Sequence, residues 1–212
     1  MPPNPVPRVL AVLPAVIPST LITVVKPFLA LHRAGRVRAR VVLEREVRAE
    51  DVSASDVVAL CRNVEPGPAI DRLCEEAGVP YVYDLDDNFF VIPLTLEQGR
   101  YHRAPERIAQ LERYLAGAAV VRVYSETLER RVRTYTDRVV RATASVDLRL
   151  VEPGRAARQE TGRTRVVYST SRIEDELSAA FLPDLEALVE RRQGVELWFM
   201  GSRPRHFRHP RA

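Results

Sequence analysis

Lysine is almost missing from this chain: of its 32 basic residues, all but Lys26 are arginine. The arginines are spread along 212 residues and interleave with 28 acidic ones, leaving a net charge of +4. A nucleic-acid binder gathers basic groups on one element with aromatics among them, so no nucleic-acid partner is expected. The densest basic run, Arg203, Arg205, His206, Arg208, His209 and Arg211, reads as a solvated tail. Cysteine is limited to Cys61 and Cys74, both in apolar settings. That argues against a disulfide framework and for buried thiols in a reduced, cytoplasmic protein. No stretch approaches the roughly 20 apolar residues that a bilayer span needs. The opening MPPNPVP has no basic n-region, so a signal peptide is not expected; peripheral membrane contact stays compatible with the sequence. There is no GxGxxG after the first apolar run, no GxxxxGK[ST] and no GxSxG, and the four histidines and two cysteines lack zinc spacing. These absences argue against dinucleotide, P-loop and nucleophile-elbow sites, and no metal site is expected.

What is present is an ordinary globular balance, 46% hydrophobic and 28% charged, enough to bury a sizeable core. Residues 8 to 13 form an apolar run bounded by prolines, which suits a strand buried on both faces of a parallel sheet. Leu21, Val24, Val25, Phe28, Leu29 and His32 fall on one side of a helix ending at Gly35. The alternation recurs, with strands near 37 to 43 and 56 to 61, a helix over 68 to 77 stopped by Gly78, and a strand at 79 to 83. A helix follows Pro105, then a strand at 120 to 123, a helix from Thr127 to Tyr135 and a short strand at 139 to 141. Strands alternating with helices predict an α/β fold with a doubly wound parallel sheet, Rossmann-like, with ligands at the carboxyl ends of its strands. The rhythm breaks after 142. The expected organisation is a domain over 1–145, a linker over 146–163 and a second, incomplete Rossmann-like domain over 164–212. The last holds strands at 165 to 168 and 195 to 200 around a helix that opens with Ser171 and Glu174 at capping-box spacing and is kinked or divided by Pro183.

Three loci could carry chemistry. In YVYDLDDNFF, 81 to 90, an apolar strand runs into Asp84, Asp86 and Asp87; alternation would put Asp84 and Asp86 on one face and Asp87 on the other, although the strand is expected to end here. Carboxylates at a strand's carboxyl end can act as bases, hold a metal or bind sugar hydroxyls, or simply cap the next turn. Tyr83, Phe89 and Phe90 could wall a pocket beside them. The loop PAVIPST, 14 to 20, places Ser19 and Thr20 where they either cap a helix or leave amides facing a phosphate. YSTSR, 168 to 172, offers Ser169, Thr170 and Arg172 to a diphosphate. His102 follows in an expected loop, a surface histidine or an addition to the acidic cluster.

The segments IPSTLITVVKPFLAL, DVVALCR, GVPYVYDLDDNFF, VYSETL and VELWFMG follow one another in an order that resembles bacterial GT-B glycosyltransferases of the group 1, retaining, nucleotide-sugar-using type, over roughly residues 8 to 201. The resemblance implies two facing Rossmann-like domains, here a whole N-terminal half and the opening of the second. It implies a hexosyltransferase with a UDP- or GDP-sugar as substrate, no cofactor, and a glycan or lipid-linked acceptor. By position, Ser19, Thr20, Ser169, Thr170 and Arg172 would serve the donor, Arg62, Tyr83 and Asn88 the acceptor, and Asp84, Asp86, Asp87 and His102 catalysis. Two departures stand out: RATASVD at 141 to 147 lacks the family's Pro-Asn, and 169 to 175 lacks its histidine. The family's paired donor-binding glutamates would fall beyond Ala212, so a truncated member, inactive alone, is one expectation. A non-catalytic glycan- or partner-binding module is the alternative, and a receiver-like domain using the aspartates for Mg²⁺ a third. An incomplete second domain would expose apolar sheet surface, which predicts a homo-oligomer or a partner chain.

Overall fold

The computed structural model describes residues 5–143, 162–170 and 180–201. It divides into two compact units, Met1–Val146 and Asp147–Ala212.

In the first unit, six parallel strands form one sheet in the order β2-β1-β3-β4-β5-β6. They are β1 (Arg8–Leu13), β2 (Arg38–Leu43), β3 (Val57–Cys61), β4 (Tyr81–Leu85), β5 (Val120–Val123) and β6 (Val139–Arg141). The helices are α1 (Pro18–Thr20), α2 (Lys26–Arg33), α3 (Ala49–Ser53), α4 (Ile70–Ala77), α5 (Glu97–His102), α6 (Pro105–Gly117) and α7 (Glu126–Val132). This is the expected Rossmann-like α/β architecture. Strand alternation sorts the core into two faces. Val58, Leu60, Tyr81, Tyr83, Leu85, Val121 and Val123 pack with Ile70, Leu111, Leu115, Leu128 and Val132 of α4, α6 and α7. On the opposite face Ala11, Leu13 and Cys61 meet Val24, Val25 and Phe28.

Local chemistry explains where the elements depart from expectation. Gly78 takes a left-handed φ of 63° and Val79 N–H donates to Cys74 O at 2.9 Å, closing α4. Pro80 has no N–H for the ladder, so β4 begins at Tyr81 and runs on to Leu85, bringing Asp84 inside the strand. The first helical stretch is continuous from Pro18 to Arg33 but contains a π-helical segment, Leu21–Val25. Pro27 cannot donate to the carbonyl four residues back, that of Thr23. The wider turn shifts the helix phase, so Val24 is buried whereas Leu29, expected on the inner face, is exposed. Residues 97–102, expected as loop, form α5. Its approach depends on Gly99, where a Cβ would lie 1.8 Å from Pro93 O.

The second unit holds a two-stranded parallel sheet, β7 (Thr164–Thr170) and β8 (Val195–Gly201), and α8 (Leu182–Arg191). Pro183 stands in the first turn of α8, where its missing N–H has no intrahelical partner in any case; the helix expected to open at Ser171 lies outside the described residues up to 179. Val166, Tyr168, Leu197 and Phe199 pack against Leu185 and Val189 of the helix. The other face leaves Val167, Trp198 and Met200 exposed. The expected linker up to residue 161, the capping box at Ser171 and Glu174, and the basic tail lie outside the described residues.

The Gly99 contact gives a first prediction. Gly99→Ala overpacks the α5 approach and should lower unfolding stability by about 1–3 kcal/mol, read as a lower urea midpoint.

Candidate functional site

β1 lies between β2 and β3 although the chain visits β2 in between. The connections therefore leave to opposite sides at the carboxyl ends of β1 and β3, and such a switch point opens a crevice where ligands of doubly wound sheets bind. The loop after β1, the Arg62–Glu65 turn, the Asp84–Asn88 segment and α5 all belong to this edge.

Arg62 organises its centre. It is a non-glycine residue at φ 60°, in the left-handed region. Its N–H donates to Asp84 O at 3.0 Å. The guanidinium Nη1 reaches Asp86 Oδ1 at 2.5 Å and Asp87 Oδ2 at 2.8 Å, and its carbon lies 5.1 Å from the centre of the Phe89 ring. Asn63 holds the turn from below: its Oδ1 accepts Cys61 N–H at 2.7 Å and its carbonyl accepts the Tyr83 hydroxyl at 2.6 Å.

Asp84 is paired separately. Cross-strand register sets it opposite Arg122, whose Nη2 donates to Asp84 Oδ2 and, at 3.0 Å, to Thr23 O. That is the carbonyl to which Pro27, four residues on, cannot donate. The Tyr124 hydroxyl also donates to Oδ2, at 3.1 Å, whereas the buried Oδ1 has no partner. Burial raises the Asp84 pKa despite the opposing pull of Arg122 and Tyr124. The side chains of Asp84, Asp86 and Asp87 are 8%, 22% and 59% exposed, so Asp87 presents the most accessible carboxylate.

His102 sits in the last turn of α5, correcting its expected place in a loop. Its ring stacks on Phe89 with centroids 4.0 Å apart, and Nδ1 is buried without a partner. Burial, helped by the Arg62 charge, pushes its pKa down to about 4; the imidazole is neutral at physiological pH. Beside it Tyr101 donates to Glu65 Oε1 and lies 3.9 Å under the Arg107 guanidinium, which also pairs with Glu65. Glu44, just beyond β2, is buried with Oε1 unpartnered. Burial pushes its carboxyl up to about 7 against the pull of the neighbouring Asn63 amide.

The expected residues therefore part company. Arg62, Asp84, Asp86, Asp87 and His102 gather at the carboxyl edge. The strand ends at Leu85, as the acidic run implied, so alternation lapses beyond it and Asp86 and Asp87 share Arg62. Tyr83 is fully buried in the core, where it also borders a cavity between Phe28 and Val140, and Phe89 is buried under Arg62 and His102; both support the edge from beneath. Asn88 is half-buried, with Oδ1 unpartnered. Ser19 is half-buried after β1. Thr20 is buried, its hydroxyl donating locally to Ala15 and Ile17 carbonyls and accepting Ile17 N–H, a structural role. Ser169 and Thr170 end β7 in the second unit, and Arg172 lies outside the described residues. Sequence reasoning missed Arg122, Tyr124, Glu44 and the Glu65–Tyr101–Arg107 group. Only Arg122 had a local signal, a lone charge within VVRVY that needs a partner once the strand is buried.

Glu44 yields a pH prediction. Its folded pKa is raised from the usual 4.5 to about 7, so its contribution to stability is fully present below about 4.5 and is lost as pH rises through 7. Relative to Glu44→Gln, the native protein should lose roughly 3 kcal/mol across that window, measured by denaturant unfolding of both proteins from pH 4 to 8.

Comparison with known proteins places the fold. No family model matches the chain and no curated protein matches it. Among solved structures, it is similar to a Listeria monocytogenes protein named as a UDP-N-acetylglucosamine 2-epimerase, of GT-B-like fold, with a TM-score of 0.52 and 11% identity. The similarity covers 91% of this chain and 61% of that one, so the chain spans about three-fifths of the length of its structural neighbour. At this identity the likeness establishes a shared α/β architecture.

Proposed function

We propose that the carboxyl edge is a glycosyl-transfer site working on a sugar nucleotide. The observation that carries this reading is the gathering of three carboxylates, a guanidinium and a neutral imidazole at the switch point of the sheet. Carboxylates bind and orient sugar hydroxyls, and Asp87 is the one best exposed for this. Arg62, paired with both, limits the mutual repulsion of Asp86 and Asp87. The likeness to a protein named for a UDP-sugar supports the donor class, and the ordered segments that resemble group 1 glycosyltransferases support transfer. In that reaction the acceptor oxygen bonds to the anomeric carbon as the bond from that carbon to the diphosphate oxygen breaks. The electron pair leaves with the nucleoside diphosphate, and the acceptor proton passes to a carboxylate at the edge. Ser19, in the first turn of the helical stretch after β1, stands on the same edge, where the diphosphate would lie.

One observation favours a second reading, a non-catalytic glycan-binding module of the same ancestry: Arg62 already occupies an oxygen of Asp86 and an oxygen of Asp87. The two readings differ in turnover.

Calorimetric titration with UDP-N-acetylglucosamine, UDP-glucose and GDP-mannose tests the site. Saturable binding is expected, weakened about tenfold or more by Asp87→Asn through loss of a charged hydrogen bond. Release of UDP or GDP in the presence of an acceptor supports transfer; binding without release favours the module. No binding to any sugar nucleotide overturns both the donor class and the transfer reading.

A further inference from the structure

Among the described residues, Glu44 is a buried carboxylate at the carboxyl edge that no cation answers. It opens the short helical turn Glu44–Glu46 after β2, is 4% exposed, and its Oε1 has no partner. Glu65, in the turn after β3, opposes its charge, and Tyr83 on β4 and Tyr114 on α6 both feel it. The other buried carboxylate next to β2, Asp51 of α3, is taken up by Arg40. Beside Glu44 stands the side chain of Asn63. It is fully buried, and its Nδ2 makes no hydrogen bond, although its Oδ1 holds Cys61 N–H at 2.7 Å and its carbonyl holds the Tyr83 hydroxyl at 2.6 Å. An acceptor on Glu44 and a donor on Asn63 are thus both left over in the same place.

The two protonation states of Glu44 make different demands on that pair. A neutral carboxyl needs no countercharge and tolerates the arrangement as it stands. An ionised one, out of reach of water and repelled by Glu65, draws the Asn63 amide, because a hydrogen bond to a charged acceptor is about twice as strong as a neutral one. Nδ2 is not in bonding geometry with Glu44, so forming that bond moves the Asn63 side chain, and with it the Oδ1 that holds Cys61 N–H. The connection to α4 has strain to release when this happens. Arg62 at one end, with φ 60°, and Ala69 at the other, with φ 47°, are both non-glycine residues in the left-handed region. Arg62 directly precedes Asn63, so the movement carries its guanidinium away from Asp86 and Asp87.

We propose that the Arg62–Glu65 turn is a proton-controlled latch of the carboxyl edge: with Glu44 protonated it keeps Arg62 on Asp86 and Asp87, and loss of that proton releases both carboxylates. The latch goes beyond the transfer reading and holds whether or not the edge takes a sugar nucleotide. If it does, the released carboxylates are the ones free to accept sugar hydroxyls. Glu44 has a pKa of about 7 when latched and returns toward its usual 4.5 when released. The released form therefore gains on the latched one as pH rises through this window, by up to about 300-fold.

The test is carbon-detected NMR of the side-chain carboxyls and amide spectra of the full chain, without ligand, from pH 4 to 8. The Glu44 carboxyl carbon is expected to titrate above pH 5. The Asp86 and Asp87 carboxyl carbons and the Cys61 and Arg62 amides should shift with the same midpoint, while the Val121 and Val123 amides stay in place. Protection of Cys61 N–H from exchange, corrected for its intrinsic rate, should fall at least tenfold between pH 5.5 and 8. Glu44→Gln, neutral throughout, should keep the acid-side spectrum at every pH; if that variant does not fold, the shared midpoint in the native chain decides. Titration of Glu44 without a response at Arg62, Asp86 and Asp87 overturns the latch, as does the same transition in folded Glu44→Gln or a shift of the whole spectrum. Failure to bind sugar nucleotides leaves it standing, and its failure leaves the transfer reading untouched.

Discussion

The interaction on which the carboxyl edge depends is the contact of Arg122 with Asp84 and with the carbonyl of Thr23. Its origin is a single missing hydrogen. Pro27 has no N–H to offer the Thr23 carbonyl, the helix contains a π turn there, and that carbonyl accepts from a side chain. Arg122 supplies that donor from β5 while neutralising the carboxylate of Asp84 on β4. One guanidinium thus joins the helical stretch after β1 to the adjacent strands β4 and β5. A buried carboxylate without such a partner would be strongly unfavourable, so removing Arg122 would disturb the helix, the strand pair and the edge together.

Around that anchor the edge keeps its acidic groups tolerable by distributing them between two arginines. Arg122 answers Asp84, and Arg62 answers Asp86 and Asp87. Arg62 can do so only because its backbone turns left-handed immediately after β3, held by the Asp84 carbonyl and by Asn63 beneath. The same guanidinium, together with burial against Phe89, keeps His102 uncharged. The result is a site with three carboxylates, little net repulsion and a neutral imidazole, a combination suited to hydroxyl-rich ligands.

The two units contrast in how far their sheets are covered. Six strands in the first unit bury one face under α4, α6 and α7 and part of the other under the Pro18–Arg33 stretch. In the second, α8 covers one face of β7 and β8, and the other presents Val167, Trp198 and Met200, with the Arg165 guanidinium 4.8 Å over the Trp198 ring. Parallel strands are ordinarily buried on both faces, so exposure of this kind is a property of the element pattern and not of any single residue.

The strands and most helices were legible in the sequence because their signals are local. The apolar runs of β1, β3 and β5, Gly78 stopping α4 and Pro105 starting α6 each act through nearest-neighbour chemistry, and the alternation of strands with helices carried the fold class. Asp84, Asp86 and Asp87 were also legible as candidates, because charge at the end of an apolar strand stands out, whereas Arg62 came only from the family resemblance. What the sequence could not decide was partnership. Alternation assigned Asp84 and Asp86 to one face, but the strand stops at Leu85 and the turn hands Asp86 and Asp87 jointly to Arg62. Tyr83 lies fully buried in the core, its hydroxyl on the Asn63 carbonyl. His102 looked like loop and is helix, because Gly99 lets α5 close against Pro93. Arg122 lies 38 residues from Asp84 and 99 from Thr23, and only the register of β4 against β5 and the displaced phase of a π turn bring the three together. The chain by itself determined which residues are charged, which are apolar and where turns must fall; the tertiary structure decided which charges meet, since that depends on sheet order and strand ends, which no local pattern encodes.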